Sequence, residues 1–248
     1  MLLILSSAKT LVFDDILTVP QITRPIFQEE EQFLVNYLQT LSTEQLGKIL
    51  QVSESLATLN YQRYQSFTTT QKQAAILAYR GDVFQQLEIE KFQDTDYLFA
   101  QEHLRIISGL YGILRPLDQI RPYRLEMNTR LKSENLSKFW TEKVSKYLNR
   151  ELEKHQTKVL INLASDEYYR VINPKYFPYP ILKVSFKEIR DGKLKTIGLL
   201  AKKSRGLMTN WIIKNKIYDP SQLKDYSGLL GYNYNESLSN EQEIVFLK

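Results

Sequence analysis

The sequence contains no cysteine and only two histidines among its 248 residues. The absence of cysteine excludes disulfide bonds, thiolate nucleophiles, cysteine-based zinc fingers and iron–sulfur clusters. The two histidines, His103 and His155, lie far apart in the sequence, which excludes a histidine-rich metal site. Carboxylate sites for magnesium or manganese remain open, but the residue content leads us to predict no bound metal and no cofactor.

Long apolar runs are also absent. Residues 2–5 form an apolar run of only four, with no basic residue before it, which is too short for a signal peptide or a membrane span. The chain has no internal repeat or flexible linker, and 43% hydrophobic with 25% charged residues is typical of a globular protein. We therefore predict a single domain over residues 1–248, in a cytoplasmic protein that does not bind membranes.

The formal net charge is only +5, but basic and acidic residues are segregated along the chain. Residues 183–216 contain ten lysines and arginines against two acids, and residues 105–132 contain six against two. Residues 26–102 contain five basic and eleven acidic residues. If the two basic segments fold together, they form one positive surface, which favours a polyanionic partner. The alternative is that these charges lie on solvated faces all round the molecule.

Hydrophobic spacing predicts mostly helices before residue 155 and mostly strands after it. Apolar residues recur at helical spacing over residues 28–64, with Ser42 as an N-cap, and again over residues 136–154. Strand patterns occupy residues 158–163, 181–200 (with Asp191-Gly192 as a hairpin turn) and 243–247. With a further strand at residues 2–5, the chain is predicted to belong to the α+β class, as a mixed β-sheet surrounded by helices.

Residues 100–127 are the most informative stretch. A predicted helix runs into a Gly-Leu-Tyr-Gly segment and a second apolar segment follows at once, which is typical of a helix–hairpin–helix over about residues 95–122. Glycines free the backbone of such a hairpin, and its exposed amides donate to phosphate oxygens. The DNA-binding candidates here are Gly109, Leu110, Tyr111, Gly112, Arg115, Arg121 and Arg124. The alternative is a tight corner inside the core, with the tyrosine packed.

A second group of phosphate-binding candidates lies in the other basic segment. Lys202, Lys203 and Arg205 directly precede a helix that is predicted to begin at Gly206. Basic side chains and the amides of a helix N-terminus both bind phosphate. The alternative is a solvated loop.

Two polar loops, each following an apolar strand, form a possible strand-edge site. Lys9 follows the strand at residues 2–5, and Asp166 and Glu167 follow the strand at residues 158–163. Neighbouring parallel strands would bring both loops to one edge of the sheet. A lysine beside two carboxylates is the minimum needed there to hold a metal and polarise a phosphate. The alternative is that Ser165 caps a helix whose dipole the two acids complement.

Five stretches resemble the YaaA family of bacterial peroxide-stress proteins, namely residues 6–10, 74–83, 100–127, 161–169 and 201–208. They occur in family order, although Ser7 stands where the family usually has proline and Gln86 where glycine often occurs. The resemblance implies a cytoplasmic DNA-binding protein that helps cells survive hydrogen peroxide, in part by limiting free intracellular iron. It also implies a mixed sheet within helices, a helix–hairpin–helix and a positive cleft, and it carries over no catalytic residues.

We therefore predict a DNA-binding protein of the peroxide stress response. It would hold duplex DNA, or bulged, overhanging or branched DNA, through phosphate contacts. The first alternative is a metal-dependent enzyme that acts on nucleic acid or a nucleotide at the strand-edge site. A protein that sequesters iron directly is disfavoured by the lack of cysteine and the two histidines.

Overall fold

A computed structural model gives the fold and describes residues 1–13, 17–131, 134–228 and 230–248. No helix within these ranges is both long and apolar enough to cross a membrane. The strands of the described residues are β1 Leu2–Ser6, β2 Thr10–Leu11, β3 Gln73–Ala74, β4 Tyr79–Arg80, β5 Leu104–Ser108, β6 Gly112–Leu114, β7 Gln119–Ile120, β8 Arg130–Leu131, β9 Glu134–Asn135, β10 Leu160–Asn162, β11 Ile181–Arg190, β12 Lys193–Lys195, β13 Asn233–Tyr234 and β14 Glu243–Leu247.

The helices lie between these strands and on both sides of the sheet that they form. Their bounds within the described residues are α1 Gln28–Gln39, α2 Thr43–Leu50, α3 Glu54–Gln65, α4 Ala75–Ala78, α5 Asp82–Gln85, α6 Asp94–His103, α7 Leu136–Leu152, α8 Asp166–Tyr169 and α9 Gly198–Lys214.

The main sheet has the strand order β13-β14-β11-β10-β1-β5-β6, with β12 paired to β11. The five central strands, from β14 to β5, are parallel to one another. Strands β6 and β13 run antiparallel at the two edges. Three further two-stranded ladders, β2–β4, β3–β7 and β8–β9, lie outside it. The sheet is therefore mixed, as predicted.

Helices cover both faces of this sheet. Leu2 and Ile4 of β1 belong to one apolar core, which α1, α2, α3 and α7 complete. Leu3 and Leu5 belong to a second core, to which α6 and α9 contribute. Alternate side chains of a strand point to opposite faces, so β1 is buried on both sides, which explains its continuous apolar run. The predicted α+β domain is confirmed.

Several local predictions are confirmed. The Ser42 hydroxyl accepts a hydrogen bond from the Gln45 amide at 3.2 Å and caps α2. Asp191 and Gly192, with φ of +54° and +70°, form the turn between β11 and β12. The second hairpin strand is shorter than predicted, however, because α9 already begins at Gly198.

The predicted helix–hairpin–helix is wrong. Helix α6 ends at His103, and the next residues form β5 and β6, an antiparallel hairpin in which Ser108 pairs with Gly112. A short apolar run bounded by glycine fits a buried strand as well as a helix. Here the open edge of β1 decides the outcome, because Leu104 and the residues after it pair along that edge. The hairpin itself is buried, so its amides do not face solvent.

Glu31 in α1 gives the fold a dependence on pH. Burial raises the pKa of its carboxyl from 4.5 to about 7, although Lys72 and Arg121 act in the opposite direction. Between these two pH values the folded protein keeps a proton that the unfolded chain releases, so stability falls as the pH rises through this window.

We therefore expect Glu31→Gln to stabilise the protein above pH 7 and to change little below pH 4.5. The gain at pH 8 is about 1–2 kcal/mol, since partial exposure screens the charge. Urea denaturation at pH 4.5 and 8 measures it. Glu29→Gln, which replaces an exposed acid in the same helical turn, is the matched control. Equal effects of the two substitutions would contradict the assignment.

Candidate functional site

A cleft of about 470 Å³ opens at the carboxyl ends of β1 and β10. This volume falls within the range of about 300–1,000 Å³ that is typical of small-molecule sites. Four parts of the chain line it: the loop after β1, the start of α5, the loop after β10, and α9. The lining residues are Ser6, Ser7, Ala8, Lys9, Thr10, Arg80, Gly81, Asp82, Val83, Phe84, Leu163, Ser165, Glu167, Tyr168, Lys202 and Arg205.

The order of the strands explains why the cleft lies at this edge. Strand β1 is flanked by β10 on one side and by β5 on the other, and all three are parallel. The sheet continues from β1 through β5 in one direction and from β10 through β11 in the other. Loops that leave in opposite directions open a crevice at the strand ends, where ligands of α/β sheets commonly bind.

Two serines join the loops that form the floor of the cleft. The backbone amide of Ser165 donates to the Ser6 hydroxyl at 2.9 Å, and the two hydroxyls lie 3.2 Å apart. Ser165 takes the N-cap position of α8, but its side chain makes no capping hydrogen bond. The alternative interpretation is therefore confirmed in part: Ser165 holds the N-cap position with both acids in the first turn, but its hydroxyl faces Ser6 and does not cap the helix.

Lys9, the predicted cation of the strand-edge site, lines the cleft but pairs with a different acid. Its Nζ lies 2.6 Å from Glu126 Oε2. Glu126 also accepts from Arg124 at 3.0 Å, so it bridges two cations. The lysine is therefore held at the mouth of the cleft, with 60% of its side chain exposed.

The two predicted acids, Asp166 and Glu167, do not lie in the cleft together. Glu167 lines the cleft and accepts a hydrogen bond from the Asn128 amide at 3.1 Å. Asp166 has 83% of its side chain exposed and lies 3.7 Å from Lys183. Among residues 1–13, 17–131, 134–228 and 230–248, no group of three or more histidine and acidic side chains is arranged to hold a metal. The structure thus brings the two loops together without assembling the predicted lysine–dicarboxylate set.

Arg205 is the most unusual cation in the cleft. Its Nε is buried and has no hydrogen-bond partner. Burial lowers the pKa of the guanidinium, an effect that the negative charge of Asp166 opposes. Lys202 lies one helical turn earlier at the mouth, with its Nζ 3.7 Å from Asp82, whereas Lys203 is not among the lining residues. Both lysines and Arg205 lie within α9, so the predicted loop before Gly206 is wrong.

Gly206 sets the position of Arg205. A β-carbon at this residue would lie 2.1 Å from the carbonyl oxygen of Val83 and 2.8 Å from Cβ of Gln86. Only glycine therefore lets α9 pack directly on α5, which brings the basic face of α9 to the cleft. In the sequence, Gly206 indicates only the start of a helix.

A buried hydroxyl network lies behind the loop after β1. Tyr123 Oη lies 2.6 Å from Tyr79 Oη and 2.7 Å from Ser108 Oγ. Ser7 and Tyr168 both line the cleft. Burial raises the pKa of all three tyrosines, so they stay neutral and can donate hydrogen bonds. These residues are widely separated in the sequence, and no sequence motif predicted that they lie close together.

The predicted DNA contacts of residues 109–112 are not available in this structure. Gly109, Leu110, Tyr111 and Gly112 are all buried. The Tyr111 amide donates to Ser108 Oγ within the hairpin. These residues are therefore core, as the alternative interpretation of the sequence held.

The three arginines that follow have different surroundings. Arg115 pairs with the fully buried Asp118 at 2.8 Å, and the Arg121 guanidinium donates to the carbonyl oxygen of Thr70. Arg124, in contrast, borders a small recess that shares Ser7, Ala8, Lys9 and Tyr168 with the cleft. Lys132, another basic residue of this segment, lies outside the described residues.

Both basic segments thus meet at one place. Arg124 comes from the first segment, and Lys202 and Arg205 come from the second. The charged residues of the cleft and its adjoining recess are Lys9, Arg80, Arg124, Lys202 and Arg205, against Asp82, Glu126 and Glu167. Basic residues are therefore in excess, and the site is suited to an anionic ligand.

Comparison with known proteins identifies relatives along the whole chain. A UPF0246 protein of Crocosphaera subtropica is 70% identical over 251 residues, and one of Rickettsia felis is 46% identical over 248 residues, with both chains fully covered in each case. A relative from Rickettsia bellii is 47% identical over 249 residues, again with full coverage. The family model described as peroxide stress protein YaaA matches residues 1–238. The chain therefore belongs to the YaaA family of peroxide stress proteins.

Proposed function

We propose that this peroxide stress protein acts in the cytoplasm by binding DNA through backbone phosphates at the basic cleft. The observation that carries the proposal is that Arg205 lines the cleft and Arg124, from the other basic segment, lines a recess that shares four residues with it. Limitation of free intracellular iron, which the family resemblance implies, belongs to the proposed physiological role. No residue of the cleft is assigned to iron.

Side chains, and not hairpin amides, carry the proposed phosphate contacts. Lys9 and Lys202 are well exposed at the mouth, at 60% and 59%. Each makes one ion pair within the protein and keeps other N–H groups for a phosphate oxygen. Such contacts fix the position of a DNA backbone but do not distinguish bases. The proposal therefore predicts binding with little dependence on sequence.

The salt dependence of binding tests this proposal. If three to four phosphates are neutralised, the logarithm of affinity for a labelled duplex should fall with the logarithm of salt concentration at a slope of about −3. Lys202→Gln should weaken binding to every sequence alike and reduce the magnitude of the slope by about 1. Bulged, overhanging and branched duplexes, titrated in parallel, reveal any preference for structure.

Lys48→Gln is the matched control for this titration. Lys48 is an exposed lysine of α2, 74% exposed, in the acidic part of the chain. It should leave both affinity and slope unchanged. A flat salt response of the wild type, or an equal effect of both lysine substitutions, would contradict DNA binding at the cleft.

No comparable observation supports the alternative of a metal-dependent enzyme. Its lysine is held by Glu126, and Asp166 lies outside the cleft lining. Of the two predicted carboxylates only Glu167 lines the cleft, and one carboxylate does not form a metal site of the kind that catalyses phosphoryl chemistry.

A further inference from the structure

Part of the cleft is unsuited to a DNA backbone. Behind the exposed lysines, its wall is apolar and aromatic, and it includes Val83, Phe84, Leu163 and Tyr168. The last three of these side chains are buried, with 7% exposure or less. The charged phosphates of a DNA backbone gain nothing from such a wall, whereas a planar ring buries its face there.

Arg205 places a cation beside this wall. Its Nε is buried without an acceptor, and the described residues provide it with no ion pair. Arg205 as a whole is half-buried, and a desolvated guanidinium nitrogen without an acceptor is costly. A phosphate group would remove that cost, because its oxygens accept parallel hydrogen bonds from a guanidinium.

Polar groups between the wall and the mouth complete the lining. The hydroxyls of Ser6 and Ser165 lie on the floor. Glu167 uses Oε1 for the Asn128 amide, so Oε2 can accept hydrogen bonds from a ligand. A carboxylate in the first turn of a helix that follows a parallel strand, as Glu167 is, is a suitable acceptor for the hydroxyls of a ribose.

We infer that the cleft binds a free nucleoside 5′-monophosphate, with the phosphate on Arg205, the base against Phe84 and Tyr168, and the ribose hydroxyls near Glu167. The volume of about 470 Å³ is sufficient for one such molecule. The inference goes beyond DNA binding. It rests on the apolar wall and on the guanidinium without an ion pair, so it stands whether or not DNA contacts the lysines at the mouth.

Calorimetric titration of the full chain tests this site. The probes are adenosine, guanosine, cytidine and uridine 5′-monophosphates, the four nucleosides without phosphate, 2′,3′-dideoxyadenosine 5′-monophosphate, and inorganic phosphate. At least one monophosphate should bind. The affinity of its nucleoside and that of inorganic phosphate should each be lower by about tenfold or more. The dideoxy compound should bind more weakly than adenosine monophosphate if that nucleotide is bound.

Arg205→Gln should weaken binding of the monophosphate about 10- to 100-fold, because it removes charge-assisted hydrogen bonds. Without ligand, the melting temperature of the variant should equal or exceed that of the wild type, since the substitution breaks no hydrogen bond or ion pair of the guanidinium and removes a desolvated charge. Lys48→Gln is again the control and should leave nucleotide binding unchanged. The ligand series on wild-type protein decides the question even if the arginine variant folds poorly.

Three outcomes would overturn the inference. These are no binding of any monophosphate at millimolar concentration, equal affinity for inorganic phosphate and nucleotide, and nucleotide binding that is unaffected in folded Arg205→Gln. DNA binding, measured on the same samples, separates the two proposals. DNA affinity without nucleotide affinity would reject the nucleotide site alone, and the reverse result would reject the DNA proposal alone.

Discussion

Replacement of Gly112 by alanine is expected to lower the free energy of unfolding by about 2–5 kcal/mol, because left-handed strain and overpacking act together. Gly112 has φ +68°, and an added β-carbon would lie 2.5 Å from Cε3 of Trp140. The indole cannot move aside cheaply, since it is fully buried and its Nε1 donates to the Gly109 carbonyl oxygen at 2.8 Å. Urea denaturation followed by circular dichroism measures the loss.

Gly192→Ala is the matched control for this substitution. Gly192 has nearly the same backbone angle, φ +70°, but no atom lies within 4 Å of the added β-carbon. It should therefore show only the left-handed strain, about 1–2 kcal/mol. The fraction of Gly112→Ala that remains folded should bind DNA normally. Weakened DNA binding at unchanged stability would contradict the core assignment and restore the hairpin as a DNA contact.

The second large effect is expected at Gly206, where alanine should cost about 2–3 kcal/mol by overpacking. The new β-carbon would overlap the Val83 carbonyl oxygen, at 2.1 Å. Because that oxygen belongs to the backbone, α5 and α9 must separate to accommodate it. Arg205 and Lys202 move with α9, so both DNA and nucleotide affinity should fall together with stability.

Gly198→Ala controls for the helix itself. Gly198 is the first residue of α9, and nothing lies within 4 Å of its added β-carbon. Its unfolding free energy should change by less than about 0.5 kcal/mol, as is usual for substitutions that meet no neighbour. If Gly206→Ala kept full stability and full ligand affinity, close packing of α9 on α5 would not be what positions the cleft cations.

The sequence predicted best those elements whose patterns have one structural solution. Examples are the apolar stripe at helical spacing in α7, the strand β14 and the Asp191-Gly192 turn. The stretch that includes Ile106 and Ile107 was mispredicted because a short apolar run satisfies either a helix or a buried strand. Pairing with β1, which lies far away in the sequence, settled the choice.

The candidate site likewise has features that the sequence predicts and features that it does not. The loops of Lys9 and Glu167 were predicted to meet because each follows an apolar strand, and parallel neighbours share an edge. Phe84 and Tyr123 gave no local signal, since they reach the cleft and its recess only through packing between distant segments. The ion pairs could not be predicted either, because the sequence does not show whether Arg115 faces solvent or the buried Asp118.

The central place of β1 in the sheet has a consequence for how the chain folds. Leu3 pairs with Leu104 on one side, and Leu2 pairs with Leu160 on the other. Both edges of this strand therefore depend on contacts of high sequence separation, whose loop-closure entropy must be overcome before any pairing energy is gained. Until β10 arrives, β1 exposes an unpaired apolar edge of the kind that promotes aggregation. Refolding should accordingly be slow and sensitive to protein concentration, and the cleft between β1 and β10 should form only in its last stage.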